Sequence, residues 1–264
     1  MPNAPAAAQA LAVLRLLSRH TEPQPAASIA RDLGLPRSSV YHLLAVLAAD
    51  GFVVHLRTER RYGLGVSAFE LGSAYTRQAP LQRLGRPLLA RLVEATTHNA
   101  HLAVLHGRDV LYVLEERAPG RPTLVTDVGV RLPAQLTASG LAMLAELPAE
   151  QVRALFPSRD VFVERHGTGP ASPSALRRLL VEVRHTGHGF EDGSVTPDFA
   201  SVASAVVDHN GHPVAGVAVT FPGAQVDSAQ RARLAAEVHK TAAELSQRIG
   251  GRHSHAWPTA HSAH

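Results

Sequence analysis

Residues 25–52 read PAASIARDLGLPRSSVYHLLAVLAADGF, and their pattern decides the fold of the amino-terminal part. Apolar spacing predicts a short helix over 26–33 that stops at Gly34, a residue free to take the left-handed backbone that ends many helices. Pro36 opens a second helix, over 36–49, at a position where its missing N–H costs nothing. In that helix Val40, Leu43, Leu44 and Leu47 recur at helical spacing and, with Ile29, Leu33 and Leu35, form a candidate core. The other face gathers Arg37, Ser38, Ser39, Tyr41 and His42 into the first two turns. Helices that reach base edges in the DNA major groove carry small polar and basic side chains there. The stretch therefore reads as a helix-turn-helix with 36–49 as recognition helix. Taken alone, two helices joined by a Gly turn are equally an ordinary hairpin with a solvated polar face.

The next residues favour DNA. Residues 52–55 have strand character, 57–60 a polar tip and 61–64 the return strand, which together make a β-hairpin wing. Arg57, Arg60 and Arg61 stand at or beside its tip, where cations on a projecting element can meet phosphates.

Charge is distributed accordingly. Of the 26 basic and 22 acidic residues, 8 Arg and 5 acids fall at or before Arg77, which leaves 18 and 17 beyond it. The surplus of positive charge is small and sits mostly in the first part; its placement matters more than its size. Without any Cys, disulfides, thiolate metal sites and Cys nucleophiles are excluded. No stretch approaches the ~20 apolar residues of a membrane span, and the amino end lacks the basic and apolar regions of a signal peptide, so a cytoplasmic protein without membrane partners is expected.

Along the chain, residues 1–8 are expected to be flexible, and 9–64 to form the winged helix-turn-helix domain. Its first helix spans 9–19, with Leu11, Val13, Leu14 and Leu17 toward the core, and 21–24 is a connector. A linker helix occupies 65–79, where Phe69, Leu71 and Tyr75 are available for packing. Ala79-Pro80 marks the boundary to a second domain over 80–250. There the pattern predicts a helix over 81–97, regular only from Pro87 onward. Strands follow over 100–106 and 110–117, with a third over 123–128. Helices are expected over 137–147, 150–155 and 173–186, and a loop over 161–172. Strands over 202–208 and 214–220 are joined at His209-Asn210-Gly211-His212, where Asn-Gly is a strong hairpin signal. A last helix covers 228–249, and 251–264 is expected to be a disordered tail. This order indicates an α+β fold, an antiparallel sheet with flanking helices.

By this point the residues resemble the IclR-type family of bacterial transcription regulators, across 9–249. The resemblance rests on Leu132-Pro133, Thr137-Ala138-Ser139-Gly140-Leu141-Ala142, Gly187-His188-Gly189-Phe190-Glu191-Asp192 and residues 202–222, in that order behind a winged helix. It implies a second domain similar to GAF and PAS sensory folds that binds a small organic effector, an organic or aromatic acid. It also implies a homodimer, or a dimer of dimers, on a palindromic double-stranded operator. The implied effector site comprises Ala138, Ser139, Glu191, Phe199, Ser201, Ala218 and Thr220. The chain departs from the family at Ser201, where many members have Cys, and at Leu141, where Lys is frequent. From the residues themselves, the start of the helix at 137–140 offers free N–H groups to an anion, or is simply a capped helix with small residues.

Other chemistries are weaker. Ser139 as nucleophile would make the second domain a hydrolase, but Thr137 stands where the G-x-S-x-G elbow needs its first Gly. A metal-sensing domain would draw on the 16 His, of which 98/101, 185/188 and 209/212 are three apart. Residues three apart on a strand point to opposite faces, and Gly187 and Gly189 end the helix that 185/188 would need. No metal, catalytic residue or cofactor is therefore expected.

Overall fold

The structure, a computed structural model, describes residues 4–78, 80–121 and 126–251. The chain divides into two compact units, 1–79 and 80–264. In the first, α1 (Pro5–Leu17) precedes β1 (Gln24–Pro25), α2 (Ala26–Leu33), α3 (Arg37–Ala49), β2 (Val53–Leu56), β3 (Arg61–Leu64) and α4 (Val66–Gln78). The turn after α2 is made at Gly34, whose φ of 63° is the left-handed value its position requires. The three-stranded sheet has the order β1-β3-β2 and is antiparallel throughout. Val13, Leu17, Ile29, Val40, Leu43, Leu44, Leu47 and Val53 form the core of this unit, with Leu33 and Leu35 packed at its margin.

Three expectations change here, while Phe69 and Leu71 of α4 stay available for packing. Helix α1 begins at Pro5, so residues 5–8 are not a loose end: Pro suits the first helical turn, and the Ala run behind it has the highest helix propensity. Leu11 lies outside the core, 54% exposed, because Val13 and Leu17 set the buried stripe. The connector contributes Gln24 and Pro25 as a short strand opposite Tyr62 and Arg61. On α4, Phe69 is 74% and Leu71 64% exposed, unpacked within this chain.

The second unit begins with α5 (Pro80–Thr96), which runs through Pro87 rather than starting there. Pro87 is on the exposed side, where water can satisfy the carbonyl that its ring leaves without a donor. Then follow β4 (Asn99–His106), β5 (Asp109–Glu116), β6 (Arg131–Pro133), α6 (Ala138–Glu146), α7 (Ala149–Leu155), α8 (Pro173–Thr186), β7 (Gly189–Asp192), β8 (Phe199–Val207), β9 (Pro213–Pro222) and α9 (Ser228–Arg248). The strand expected over 123–128 falls largely on 122–125, outside the described residues. Instead, Arg131–Pro133 pairs with β5, and Gly189–Asp192 adds an edge strand not anticipated as one. The tail 252–264 also lies outside the described residues, but Gly251 belongs to the fold: its N–H bonds Ser246 O at 2.8 Å.

All six strands form one antiparallel sheet in the order β6-β5-β4-β9-β8-β7. Helices cover both faces, as expected for an α+β domain. α5 and α9 pack on one face through Leu88, Leu92, Leu234, Val238 and Leu245. α6 and α8 pack on the other through Leu141, Met143, Leu144, Leu176 and Leu180. Strands buried on both faces lose the apolar/polar alternation of a half-exposed sheet, and β9 accordingly reads as an almost continuous apolar run.

Candidate functional site

Two places in the molecule gather the residues singled out from the sequence. In the first unit α3 turns Val40, Leu43, Leu44 and Leu47 inward and leaves Arg37, Ser38, Tyr41 and His42 exposed, with Ser39 half-buried. The hairpin of β2 and β3 is stiffened by His55 stacked on Tyr62, with ring centroids 4.3 Å apart and planes within 7°. Its turn holds Arg57 and Arg60 outward, and neither forms an ion pair among the described residues. Arg61 differs. Its guanidinium donates to Pro23 O at 3.0 Å and lies 3.8 Å from the Glu22 carboxylate, which ties the return strand to the connector before α2. Its side chain is engaged in the fold rather than free at the tip.

The second place is built by strand register. Pairing sets Glu191, Ser201, Thr220 and Asn99 in one row across β7, β8, β9 and β4. The next row of the same face is Gly189, Ala203, Ala218 and His101. The small residues of the second row let α6 lie close to the sheet. A Cβ on Gly189 would stand 2.3 Å from Ala138 O, and one on Gly216 only 3.0 Å from the Ser139 Cβ. The first turn of α6 is thereby held over the polar row.

A cavity of about 10 Å³, room for roughly one water, lies between them. Its walls include all seven residues expected for an effector site: Ala138, Ser139, Glu191, Phe199, Ser201, Ala218 and Thr220. His101, Tyr112, Thr126, Thr137, Val195 and Thr196 complete it; the sequence had marked Thr137 only as part of the helix start and His101 only within a histidine pair, and the other four not at all. His101 and Tyr112 come from β4 and β5, whose inward face is set by a register shift between Leu102 and Ala103 that no local pattern announces. The remaining four sit in turns or at a helix boundary, where side-chain direction has no period to follow.

The cavity is lined by polar groups with unusual protonation. Thr137 caps α6, its hydroxyl accepting from Gly140 N at 3.0 Å. The amides of Ala138 and Ser139, in the first turn, have no helical acceptor. Ser139 Oγ is buried without a hydrogen-bond partner. Across the cavity Ser201 and Thr220 hydroxyls bond at 2.9 Å, and Glu191 Oε2 accepts from Ser194 N at 3.0 Å. Burial pushes the Glu191 carboxyl up to about 7, against hydrogen bonds from Ser201 and the Ser194 and Val195 amides. Burial, assisted by the charge of Arg117, lowers His101 to about 4, so the imidazole is neutral at pH 7. Its Nε2 is 3.4 Å from Thr126 Oγ1 and its Nδ1 has no partner. Tyr112, edge-on to His101 at 5.8 Å, is held as the phenol by burial and by Glu191. No Arg or Lys among the described residues lines the cavity. No side chain among the described residues hydrogen-bonds Ser139 Oγ. Among the described residues no group of three or more His, Asp or Glu converges to hold a metal ion.

Family models agree with this division. The IclR helix-turn-helix domain matches residues 6–57, and the carboxy-terminal domain of the bacterial transcriptional regulator IclR matches 73–247. The chain belongs to the IclR family of bacterial transcriptional regulators. It is 27% identical over 225 residues to the acetate operon repressor of Salmonella typhimurium, covering 84% of this chain and 82% of that protein. An IclR transcriptional regulator from Alicyclobacillus acidocaldarius has a similar fold, with a TM-score of 0.83 at 24% identity over 94% of this chain and 100% of that one. So does an IclR homologue from Microbacterium hydrocarbonoxydans solved with 4-hydroxybenzoate, at 0.75 and 21% identity over 92% and 99%. This IclR-family chain joins a DNA-binding helix-turn-helix domain to the carboxy-terminal domain of the family. Among its described residues no helix is long and apolar enough to cross a membrane.

Proposed function

We propose that this regulator binds a palindromic operator as a homodimer or dimer of dimers, and that a small hydroxylated organic acid in the cavity under α6 controls that binding. The observation that carries the effector assignment is the buried, unpartnered Ser139 Oγ beside two first-turn amides. A buried hydroxyl without a partner costs stability unless something supplies the missing bond. Amides at a helix start favour a negative charge, and a carboxylate there needs no Lys or Arg. Glu191 stands on the other side. An ionised carboxyl repels a second acid, whereas the same group accepts a hydrogen bond from a hydroxyl. A ligand with a carboxylate at one end and a hydroxyl at the other satisfies both ends, and 4-hydroxybenzoate, held by the Microbacterium hydrocarbonoxydans homologue, has this form.

At about 10 Å³ the cavity is far below the ~300–1,000 Å³ of typical ligand sites, so binding must open it. Val195 and Thr196, in the segment between β7 and β8, and Phe199, the first residue of β8, line it, and this segment is the element that has to move. The DNA-binding assignment rests on Arg37, Ser38, Ser39, Tyr41 and His42 on α3 for base contact, with Arg57 and Arg60 for phosphates. Arg61 supports the wing from its bond to Pro23. Assembly is assigned to the exposed Val66, Phe69 and Leu71 of α4, since a single winged helix makes few base contacts and specificity calls for two half-sites.

Calorimetry of the full chain with 4-hydroxybenzoate, benzoate and phenol tests the effector class. The hydroxy acid is expected to bind tightest, and Ser139→Ala to weaken it by roughly tenfold, the worth of one hydrogen bond to a charged group. Binding equal among the three compounds, or unchanged in Ser139→Ala, would remove the assignment.

A further inference from the structure

A second cavity lies on the helical side of the effector unit and shares no residue with the first. It has a volume of about 550 Å³ and opens between α7, α8 and the 3-10 turn Arg159–Val161. Its floor is apolar: Phe156, Leu176 and Leu180 are buried, and Val152 is half-buried beside them. Around this floor stand Arg153, Arg159, Arg177 and Arg184, and among the described residues no acidic side chain lines it. Arg184 is partly committed, its Nε donating to Ala145 O at 2.7 Å. The other three are exposed, and none forms an ion pair among the described residues. The first turn of the 14-residue α8 faces the same space, with Ser172 and Ser174 on the rim. Ser172 Oγ caps Ala175 N at 3.2 Å, so the helix start adds its positive end without being the sole attraction.

An ordinary solvated surface accounts for exposed arginines, but not for several of them ringing a concave apolar floor with no counter-charge. An anion seated in this groove would meet positive charge from more than one wall. Its size lies inside the ~300–1,000 Å³ range of small-molecule sites, and the combination of apolar lining with a few polar groups is the usual composition of such sites. We propose that this groove is a second ligand site, for an amphiphilic anion: an apolar body on Phe156, Leu176 and Leu180, with a carboxylate or phosphate head among Arg153, Arg159 and Arg177. The guanidinium fork takes either head group in a two-bond geometry. α8 also packs on α6, which carries Ala138 and Ser139, so an occupant of the groove bears on the helix that roofs the inner cavity.

The test is titration calorimetry of the full chain with octanoate, octyl phosphate, octanol and inorganic phosphate. One of the two amphiphilic anions is expected to bind at least about tenfold more tightly than both octanol and inorganic phosphate, and which one does so assigns the head group. The Arg153→Gln/Arg177→Gln variant, changed only at exposed positions, should weaken that binding about tenfold, while Ser139→Ala leaves it unaltered. Equal affinity for octanol, or for inorganic phosphate, would overturn the proposal, as would undiminished binding by the double variant with an unchanged melting temperature. Loss of octanoate binding in Ser139→Ala would place the occupant in the inner cavity and overturn it too. Arg159→Gln alone gives an independent reading should the double variant fold poorly.

Discussion

Glu191→Gln should uncouple the stability of the second unit from pH. The Glu191 carboxyl is held at about 7 from an ordinary 4.5, chiefly by burial. A carboxyl whose folded pKa is raised binds its proton more tightly in the folded state, so its contribution is favourable in acid and falls as pH rises from 4.5 through 7. Integrating the two titrations between about pH 5 and pH 8 gives a loss of about 2–3 kcal/mol. Gln carries no titrating proton and loses nothing. It can still accept from the Ser194 amide, and its own amide faces the Ser201 hydroxyl, so a constant hydrogen-bond difference drops out of the comparison. For a unit of this size about 2–3 kcal/mol corresponds to roughly 5–10 °C in melting temperature. His98, His101 and His188, all lowered chiefly by burial, act with the opposite sign: their contribution is present above 6.5 and lost toward acid. They do so in parent and variant alike, and the difference between the two isolates Glu191. Scanning calorimetry at several pH values, following the transition of the second unit, provides the measurement. If the two melting curves against pH run parallel, the buried carboxyl is not in the state described, and the ligand-hydroxyl assignment loses its acceptor.

Other expectations concern DNA, assembly and packing. Arg57→Ala should weaken binding to all duplexes and lower the log–log salt slope by about one, whereas Arg37→Ala should in addition relax sequence preference by roughly 1–3 kcal/mol; footprint titrations on operator and random DNA at several salt concentrations separate the two. Phe69→Ser with Leu71→Ser should shift light scattering toward the monomer and weaken operator binding more than random-duplex binding. Because a side chain at 189 would meet Ala138 O at 2.3 Å, Gly189→Ala should destabilise the second unit by about 1–3 kcal/mol, read by denaturant unfolding, and lift α6 from the sheet. A wild-type denaturation midpoint in that variant would mean that the close approach of α6 is not required.

The sequence alone carried the elements whose signal is local. The helix-turn-helix was legible because Gly34 ends one helix, Pro36 begins the next, and Val40, Leu43, Leu44 and Leu47 repeat at helical spacing. The wing followed from two short strands around a charged tip, and α8 could be bounded by Pro173 and Gly187, each a residue with one conformational preference. Local pattern was silent where partners lie far along the chain. β1 has only two residues and β7 four, too short for a period, and each exists because a distant strand satisfies its backbone. Pro87 suggested a break that the exposed side of α5 tolerates. Arg61 looked identical to its neighbours Arg57 and Arg60, and only the approach of Pro23 and Glu22 separated it from them.

At the cavity, the family resemblance named seven residues, but only the register of four strands with the close approach of α6 at Gly189 and Gly216 put them around one space. The same packing added His101 and Tyr112 and set the Glu191 carboxyl near neutrality. It also left too little room for an added carboxylate at position 139, so Ser139→Ala is the informative substitution. Burial is a property of the assembled sheet and helices, which is why charge state and cavity size were decided by tertiary structure and not by the residues in order.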